Sequence, residues 1–226
     1  MKFMRALMGR ADDRGLALAD ARTALVKKLA RPDCNIADKR VLAAMNNVPR
    51  HEFVPEASQL MAYWNIALPI GNDQTISQPY IVALMTEELR LQPTDRVLEV
   101  GTGSGYQTAV LAELAAEVYT IEIIADLAAR AQVNLTRLGY QNIHFRRGDG
   151  SAGWPEAAPY DAIMVTCSPS DVPPALFDQL KMGGRLIIPV DRISLQELVL
   201  FHKTARGIEG SQIIPVRFVP MTGAGK

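Results

Sequence analysis

The stretch VLEVGTGSGYQTAVLAEL (97–114) constrains this chain more than any other. A short apolar run, Arg96–Val100, gives way to glycines at 101, 103 and 105, and a segment of helical periodicity follows. Glycines at such a junction tolerate positive φ and let backbone approach a ligand closely. A strand, a glycine loop and a helix in this order open a nucleotide-binding α/β unit.

The residues after Pro79 repeat that alternation. Helices are expected over 80–91, 105–116, 124–138 and 173–182. Strands are expected at Arg96–Val100, Val118–Glu122, Ile143–Arg147, Asp161–Thr166 and Leu186–Val190. Strands that alternate with helices imply a mostly parallel, doubly wound, Rossmann-like α/β sheet. Two last strands, Glu197–His202 and Ile213–Val219, have no clear helix between them and predict an antiparallel C-terminal edge. Ahead of the sheet, residues 16–30 and 37–47 read as helices, and 49–80 as a long loop with a Gly-Asn-Asp turn. A loop that long is functional or disordered, and its aromatic and apolar content argues against disorder. The reading is one domain over 1–226, with 1–78 a helical and loop extension that lines the site and 79–226 the Rossmann-like core.

Composition narrows the classes. The 24 basic and 24 acidic residues balance, which gives no electrostatic footprint for nucleic acid. Cys34 and Cys167 stand far apart with no CxxC or Cys/His pattern, so neither a disulfide framework nor a metal site is expected. Charges interrupt the opening residues before an apolar core of a signal peptide forms, and no apolar run approaches the length of a membrane span. A cytoplasmic monomer that contacts neither membrane nor nucleic acid is expected.

The loop's detail bears on its ligand. A dinucleotide fingerprint needs a sixth-position glycine, and Tyr106 stands there. Glu99 precedes the loop, where a carboxylate would repel a pyrophosphate. A phosphate-free, cationic ligand fits better. Glu122, at the end of the next strand, suits ribose hydroxyls, which a dinucleotide reading predicts equally. Asp149, between Gly148 and Gly150, suits an adenine amino group or an ordinary Asx turn.

The segment VLEVGxGxG resembles motif I of the S-adenosylmethionine-dependent methyltransferases. A set of longer segments is more specific. VPRHEFVPE (48–56), NIALPIGNDQTISQPY (65–80), the glycine loop, GDG (148–150), PYDAIMVT (159–166) and RFVPMTG (217–223) are similar, in that order, to protein-L-isoaspartate O-methyltransferases. The likeness spans about residues 36–223. It implies S-adenosyl-L-methionine as cofactor and L-isoaspartyl residues of aged proteins and peptides as substrate. Their α-carboxylate is methylated, and the ester closes to a succinimide that reopens partly to aspartate. It also implies residue roles. Ser77 matches the active-site serine, in a loop whose Gln74, Thr75 and Ile76 line the cofactor pocket. Glu99, Gly101 and Gly103 match the methionine-end loop, Glu122 the ribose ligand, Asp149 and Gly150 the adenine side, and Thr222 a terminal threonine that closes over the cofactor.

A carboxylate is already ionised at pH 7, so the reaction needs alignment rather than a general base. No GxSxG elbow surrounds Ser77, which points to a hydrogen-bonding role and not to a covalent nucleophile. The plainer reading of Ser77 is an N-cap or turn serine before the Gln78-Pro79 helix start. His51 reads as a loop residue, Trp64 and Trp154 as core or pocket wall, and Cys167 as a buried filler. Two departures from the family, Cys34-Asn35-Ile36 and Thr166–Pro169, bear on the peptide groove. The rival functions are a methyltransferase of another substrate class, a non-catalytic S-adenosylmethionine-binding module and an NAD-dependent oxidoreductase. Missing Asn-Pro-Pro-aromatic, intact TISQP and Tyr106 disfavour them in turn.

Overall fold

The computed structural model describes residues 2–191 and 195–223, with side chains from Gly15 onward. Two helices open the chain, α1 (Lys2–Leu29) and α2 (Lys39–Asn47). Asp38 caps α2 by accepting a hydrogen bond from the Arg40 N–H at 2.8 Å. The expected loop over 49–80 is more ordered than the sequence suggests. It holds 3-10 turns at Arg50–Phe53 and Glu56–Met61, then a small hairpin of β1 (Leu68–Gly71) and β2 (Gln74–Ile76). Asn72 and Asp73 take φ of +54° and +56° at its tip, the conformation that a tight hairpin turn requires. Pro69 and the shortness of both strands hid the hairpin from a reading of periodicity.

Next come α3 (Pro79–Leu89), β3 (Arg96–Val100), α4 (Tyr106–Ala112), β4 (Glu117–Glu122), α5 (Ala125–Arg137) and β5 (Ile143–Arg147). After two further 3-10 turns follow β6 (Tyr160–Val165), α6 (Pro174–Asp178), β7 (Leu180–Asp191), β8 (Gln196–Thr204) and β9 (Gly207–Val216). Among the described residues the sheet order is β5-β4-β3-β6-β7-β8-β9. Every pair through β6–β7 is parallel, and β7–β8 and β8–β9 are antiparallel. The expected mostly parallel sheet with an antiparallel edge is therefore the observed one.

Four elements of the sheet region differ in extent from expectation. Helix α4 ends at Ala112, four residues early, and α6 at Asp178. Strand β7 begins at Leu180 and runs through Gly183-Gly184, because pairing with β6 overrides the weak strand preference of glycine. Strand β9 begins at Gly207 and stops at Val216, so the polar IEGSQ run is strand and 217–219 is not. Ladder bonds to β8 organise that polar run, which offers no apolar alternation to read.

Side chains alternate between the two faces of the sheet. Val97, Val118, Ala162, Ile187 and Leu198 join one apolar cluster, and Leu98, Tyr119, Ile163, Leu186 and Val199 the other. The first cluster also holds Leu18, Leu25 and Leu29 of α1, Val41 and Met45 of α2, and Leu127 and Leu135 of α5. The N-terminal helices thus share one core with the sheet and fix the loop and hairpin against its carboxyl edge. On the opposite face Leu176 of α6 packs with Trp154 and Tyr160.

Candidate active site

The chain runs outward in opposite directions from β3: to β4 and β5 on one side, to β6 and β7 on the other. A crevice opens at such a reversal, outside the carboxyl ends of the strands, where sheets of this kind bind ligands. Here it is a cleft of about 800 Å³, part of it open to solvent, within the size range of small-molecule sites.

Its floor is the glycine loop. Gly101, Gly103 and Gly105 have φ of +98°, +55° and +89°, which side-chain-bearing residues rarely adopt. At Gly101 a Cβ would also run into Thr166 Oγ1. The loop is held by the Gly101 N–H, which donates to Ile121 O at 2.8 Å. Glu122 holds it as well. Its Oε2 accepts from the Gly103 N–H at 2.8 Å and its Oε1 from the Ile124 N–H at 2.9 Å. Glu122 lines the cleft and is 6% exposed, and each oxygen keeps a lone pair for a ligand hydroxyl.

Glu99 takes a different position from the one its place in the motif suggests. It is fully buried behind the loop and is not a cleft-lining residue. Its Oε2 accepts from Thr108 Oγ1 at 2.5 Å and from Thr120 Oγ1 at 2.6 Å. Its Oε1 has no partner among the described residues. Burial, outweighing the two threonine bonds, pushes its carboxyl up to about 8. A neutral acid would not repel a pyrophosphate, so that argument for the cofactor fails. The threonine bonds instead tie β3 to α4 and β4 beneath the loop.

The opposite wall comes from the N-terminal part. Arg130 Nη2 donates to Ile70 O at 3.0 Å, Asn134 Nδ2 to Glu52 O at 2.8 Å, and Arg137 pairs with Glu52 at 2.5 Å. These bonds seat the 50–71 segment on α5 and deliver Gln74, Thr75, Ile76 and Ser77 to the cleft. Arg50, fully buried, donates to Ala62 O at 2.8 Å and lies 4.9 Å over the Tyr106 ring, while burial pushes its guanidinium down to about 10. Beside it, His51 Nδ1 lies 2.7 Å from the Tyr63 hydroxyl, outside the cleft. Ser77 is half-buried. The residue at the cap position of α3 is Gln78, with no side-chain capping bond, and the Ser77 hydroxyl has no hydrogen-bond partner among the described residues. The capping reading of Ser77 is therefore not the observed one.

Gly150 and a C-terminal strap close the cleft. A Cβ at Gly150 would collide with Val100. The strap is held by the Ser168 N–H, which donates to Val219 O at 2.9 Å, and by the Met221 N–H, which donates to Ser168 O at 2.7 Å. It brings Val219, Met221 and Thr222 to the cleft. Asp149 stands just outside the lining, accepting from the Ser151 N–H at 2.9 Å, with Gly223 passing over it. Of the residues singled out from the sequence, Gln74, Thr75, Ile76, Ser77, Gly101, Gly103, Glu122, Gly150 and Thr222 converge on the cleft; Glu99 and Asp149 do not line it.

Sequence reasoning passed over Gln107, Met221 and, as cleft residues, Thr166 and Cys167. The signal for the last pair was available: they follow a parallel strand beside the glycine loop. Burial, then the nearby Glu122 and Asp149, push the Cys167 thiol up to about 12. Of the two tryptophans, Trp154 packs in the second core, with Arg146 4.6 Å from its ring, and Trp64 is largely exposed. The Cys34–Ile36 segment follows α1, with the Ile36 N–H donating to Leu29 O at 3.1 Å, and does not line the cleft. Among the described residues no cluster of His, Cys, Asp or Glu could hold a metal ion, and no helix is long and apolar enough to cross a membrane.

The chemistry of the donor set is selective. Among the described residues that line the cleft there is neither Lys nor Arg. Glu122 is the one charged lining residue, set to accept from hydroxyls. A glycine floor of this kind fits a phosphate-free nucleoside whose tail carries positive charge. The fold and this donor set together define the nucleoside-binding class of Rossmann-like methyltransferases. The family model for protein-L-isoaspartate(D-aspartate) O-methyltransferase matches residues 20–226, and the chain belongs to that family. It is 57% identical over 188 residues to protein-L-isoaspartate O-methyltransferase 2 of Polaromonas sp. (strain JS666 / ATCC BAA-500), covering 82% of this chain and 89% of that one. A solved protein-L-isoaspartate O-methyltransferase superposes with a TM-score of 0.83 at 34% identity, over 90% of this chain and 67% of that chain. A second, a putative protein-L-isoaspartate O-methyltransferase from Plasmodium falciparum in complex with S-adenosyl-L-homocysteine, superposes with a TM-score of 0.79 at 28% identity, over 89% and 98% of the two chains.

Proposed function

We propose that this enzyme transfers the methyl group of S-adenosyl-L-methionine to the α-carboxylate of L-isoaspartyl residues in damaged proteins and peptides. The observation that carries the reading is a shared wall. Thr75, Ser77 and Thr166 line both the cleft and a second, open pocket beside it, so a group bound in one meets a group bound in the other there.

The cofactor supplies an electrophilic methyl carbon on a sulfonium. Glu122 would accept from its ribose hydroxyls, the glycine floor would admit its amino-acid tail, and Gly150 would leave room for its base. Ser77 would donate its unengaged hydroxyl to the substrate carboxylate and turn one oxygen toward the cleft. The wall residues would exclude water around that oxygen, which strengthens each remaining interaction. The O–C bond forms as the S–C bond breaks, and no proton moves. The ester then loses methanol as the following backbone nitrogen closes a succinimide, whose hydrolysis returns part of the material to aspartate. The reading also places the enzyme in the cytosol as a monomer, which sedimentation and fractionation would test.

Labelled S-adenosylmethionine and two peptides that differ only in L-isoaspartyl against L-aspartyl decide the matter. Base-labile label on the isoaspartyl peptide alone is the expected result. Label on neither peptide, with the cofactor bound, would refute the substrate.

A further inference from the structure

The second pocket, about 920 Å³ with its solvent-open mouth, lies between the start of α3 and the strap that follows β9. Ser77 and Thr166 form its inner wall, and Gln78, Ile81 and Phe218 its sides. Arg217 is the one charged residue that lines it, and it carries no ion pair among the described residues. Its backbone is well fixed. Gln196 grips the next residue from both sides: its Oε1 accepts from the Phe218 N–H at 2.5 Å and its Nε2 donates to Phe218 O at 3.2 Å. An exposed guanidinium on a rigid strap, facing a pocket with no acid in it, lacks an internal structural partner.

We infer that Arg217 is a specificity-determining residue that selects isoaspartyl peptides with an acidic side chain next to the damaged residue. The inference rests on the substrate reading given above. The methyl-accepting carboxylate belongs at the inner wall with Ser77, because methyl transfer must occur at the boundary with the cleft. A guanidinium fork on that same carboxylate would stabilise the anion and weaken it as a nucleophile. Arg217 is exposed whereas Ser77 and Thr166 are half-buried, which assigns the guanidinium to the solvent side of the pocket, where a flanking chain would leave. An extended peptide advances roughly 3.3–3.6 Å per residue, so a neighbour of the isoaspartate reaches that rim. Opposite charge there steers the peptide inward and holds it, and salt weakens the effect.

The test uses three peptides identical but for Glu, Gln or Lys beside the isoaspartate, with the whole enzyme as wild type, Arg217→Gln and Arg217→Glu. The readout is kcat/KM for each peptide at low and high salt. The wild type should rank Glu above Gln above Lys, with steps of roughly two- to fivefold at low salt that shrink at high salt. Arg217→Gln should flatten the ranking, and Arg217→Glu should invert it. Titration with S-adenosylhomocysteine checks that each variant is folded. A flat ranking in the wild type, or an unchanged ranking in Arg217→Glu, overturns the inference while methylation of the Gln peptide leaves the substrate reading intact. Methylation of none of the three overturns both.

Discussion

The two cavities on either side of Ser77 are built on opposite terms. The cleft is made of strand ends and a glycine loop, its one charge is acidic, and that charge is buried and doubly bonded to backbone. The pocket is made of the start of α3 and an edge strand's continuation, and its one charge is basic, exposed and without an ion pair among the described residues. The contrast fits a cationic cofactor of fixed shape on one side and an anionic peptide of variable sequence on the other. A fixed ligand can be met by rigid, buried donors and acceptors. A variable one is better met by solvated charge, which costs little when the partner is missing.

Breaking the cleft should have the largest effect. Glu122→Ala removes the proposed ribose acceptor and strands two backbone N–H groups, and the loss should be about 3 kcal/mol of S-adenosylhomocysteine affinity by calorimetry, roughly 100-fold. A loss below threefold would detach Glu122 from cofactor binding. Beneath the loop, Glu99 should make stability fall as pH rises. Its folded carboxyl is raised from 4.5 to about 8, so between those values the native state keeps a proton that the unfolded chain releases. Stability is fullest below the lower value and is lost up to the higher one. From about pH 6 to 9.5 the loss should be on the order of 2 kcal/mol, several degrees in Tm, and Glu99→Gln should lessen it. A Tm that rises over that range in the wild type would contradict a neutral Glu99.

The shared wall should respond on one side only. Ser77→Ala should lower kcat/KM for an isoaspartyl peptide roughly tenfold, the value of a hydrogen bond to a charged group, with cofactor affinity changed less than about threefold. Equal losses in both would mean that Ser77 serves the cleft alone. Smallest of all, Gln196→Ala should loosen the strap by about 1 kcal/mol and raise the peptide KM up to about fivefold. An unchanged KM would show that Phe218 is held by other means.

Much of the cleft is legible in the sequence because its floor depends on backbone. Gly101, Gly103 and Gly105 announce their own conformations, and Glu122 and Thr166 follow from the rule that sites lie at strand carboxyl ends. Direction is not legible. Position 99 is one strand residue from the loop, yet its side chain points at Thr108 and Thr120 and away from the ligand space. Asp149 likewise turns to its own backbone. The hairpin that carries Gln74–Ile76 reads as loop in the sequence because three- and four-residue strands with a proline have no period to detect. Ser168 shows the converse. Nothing in the sequence around it marks a site residue, but it is buried, donates to Asp191 Oδ1 at 3.0 Å and anchors the strap, so it shapes the site from behind.

The setting of Cys167 bears on durability. Burial, with Glu122 and Asp149 nearby, holds the Cys167 thiol in its neutral form at neutral pH, and the thiolate is the form that peroxides and alkylating agents attack. Burial and Asp33 also raise Cys34 above the ordinary range. Both cysteines are thus held toward the neutral thiol, the form that such reagents attack least.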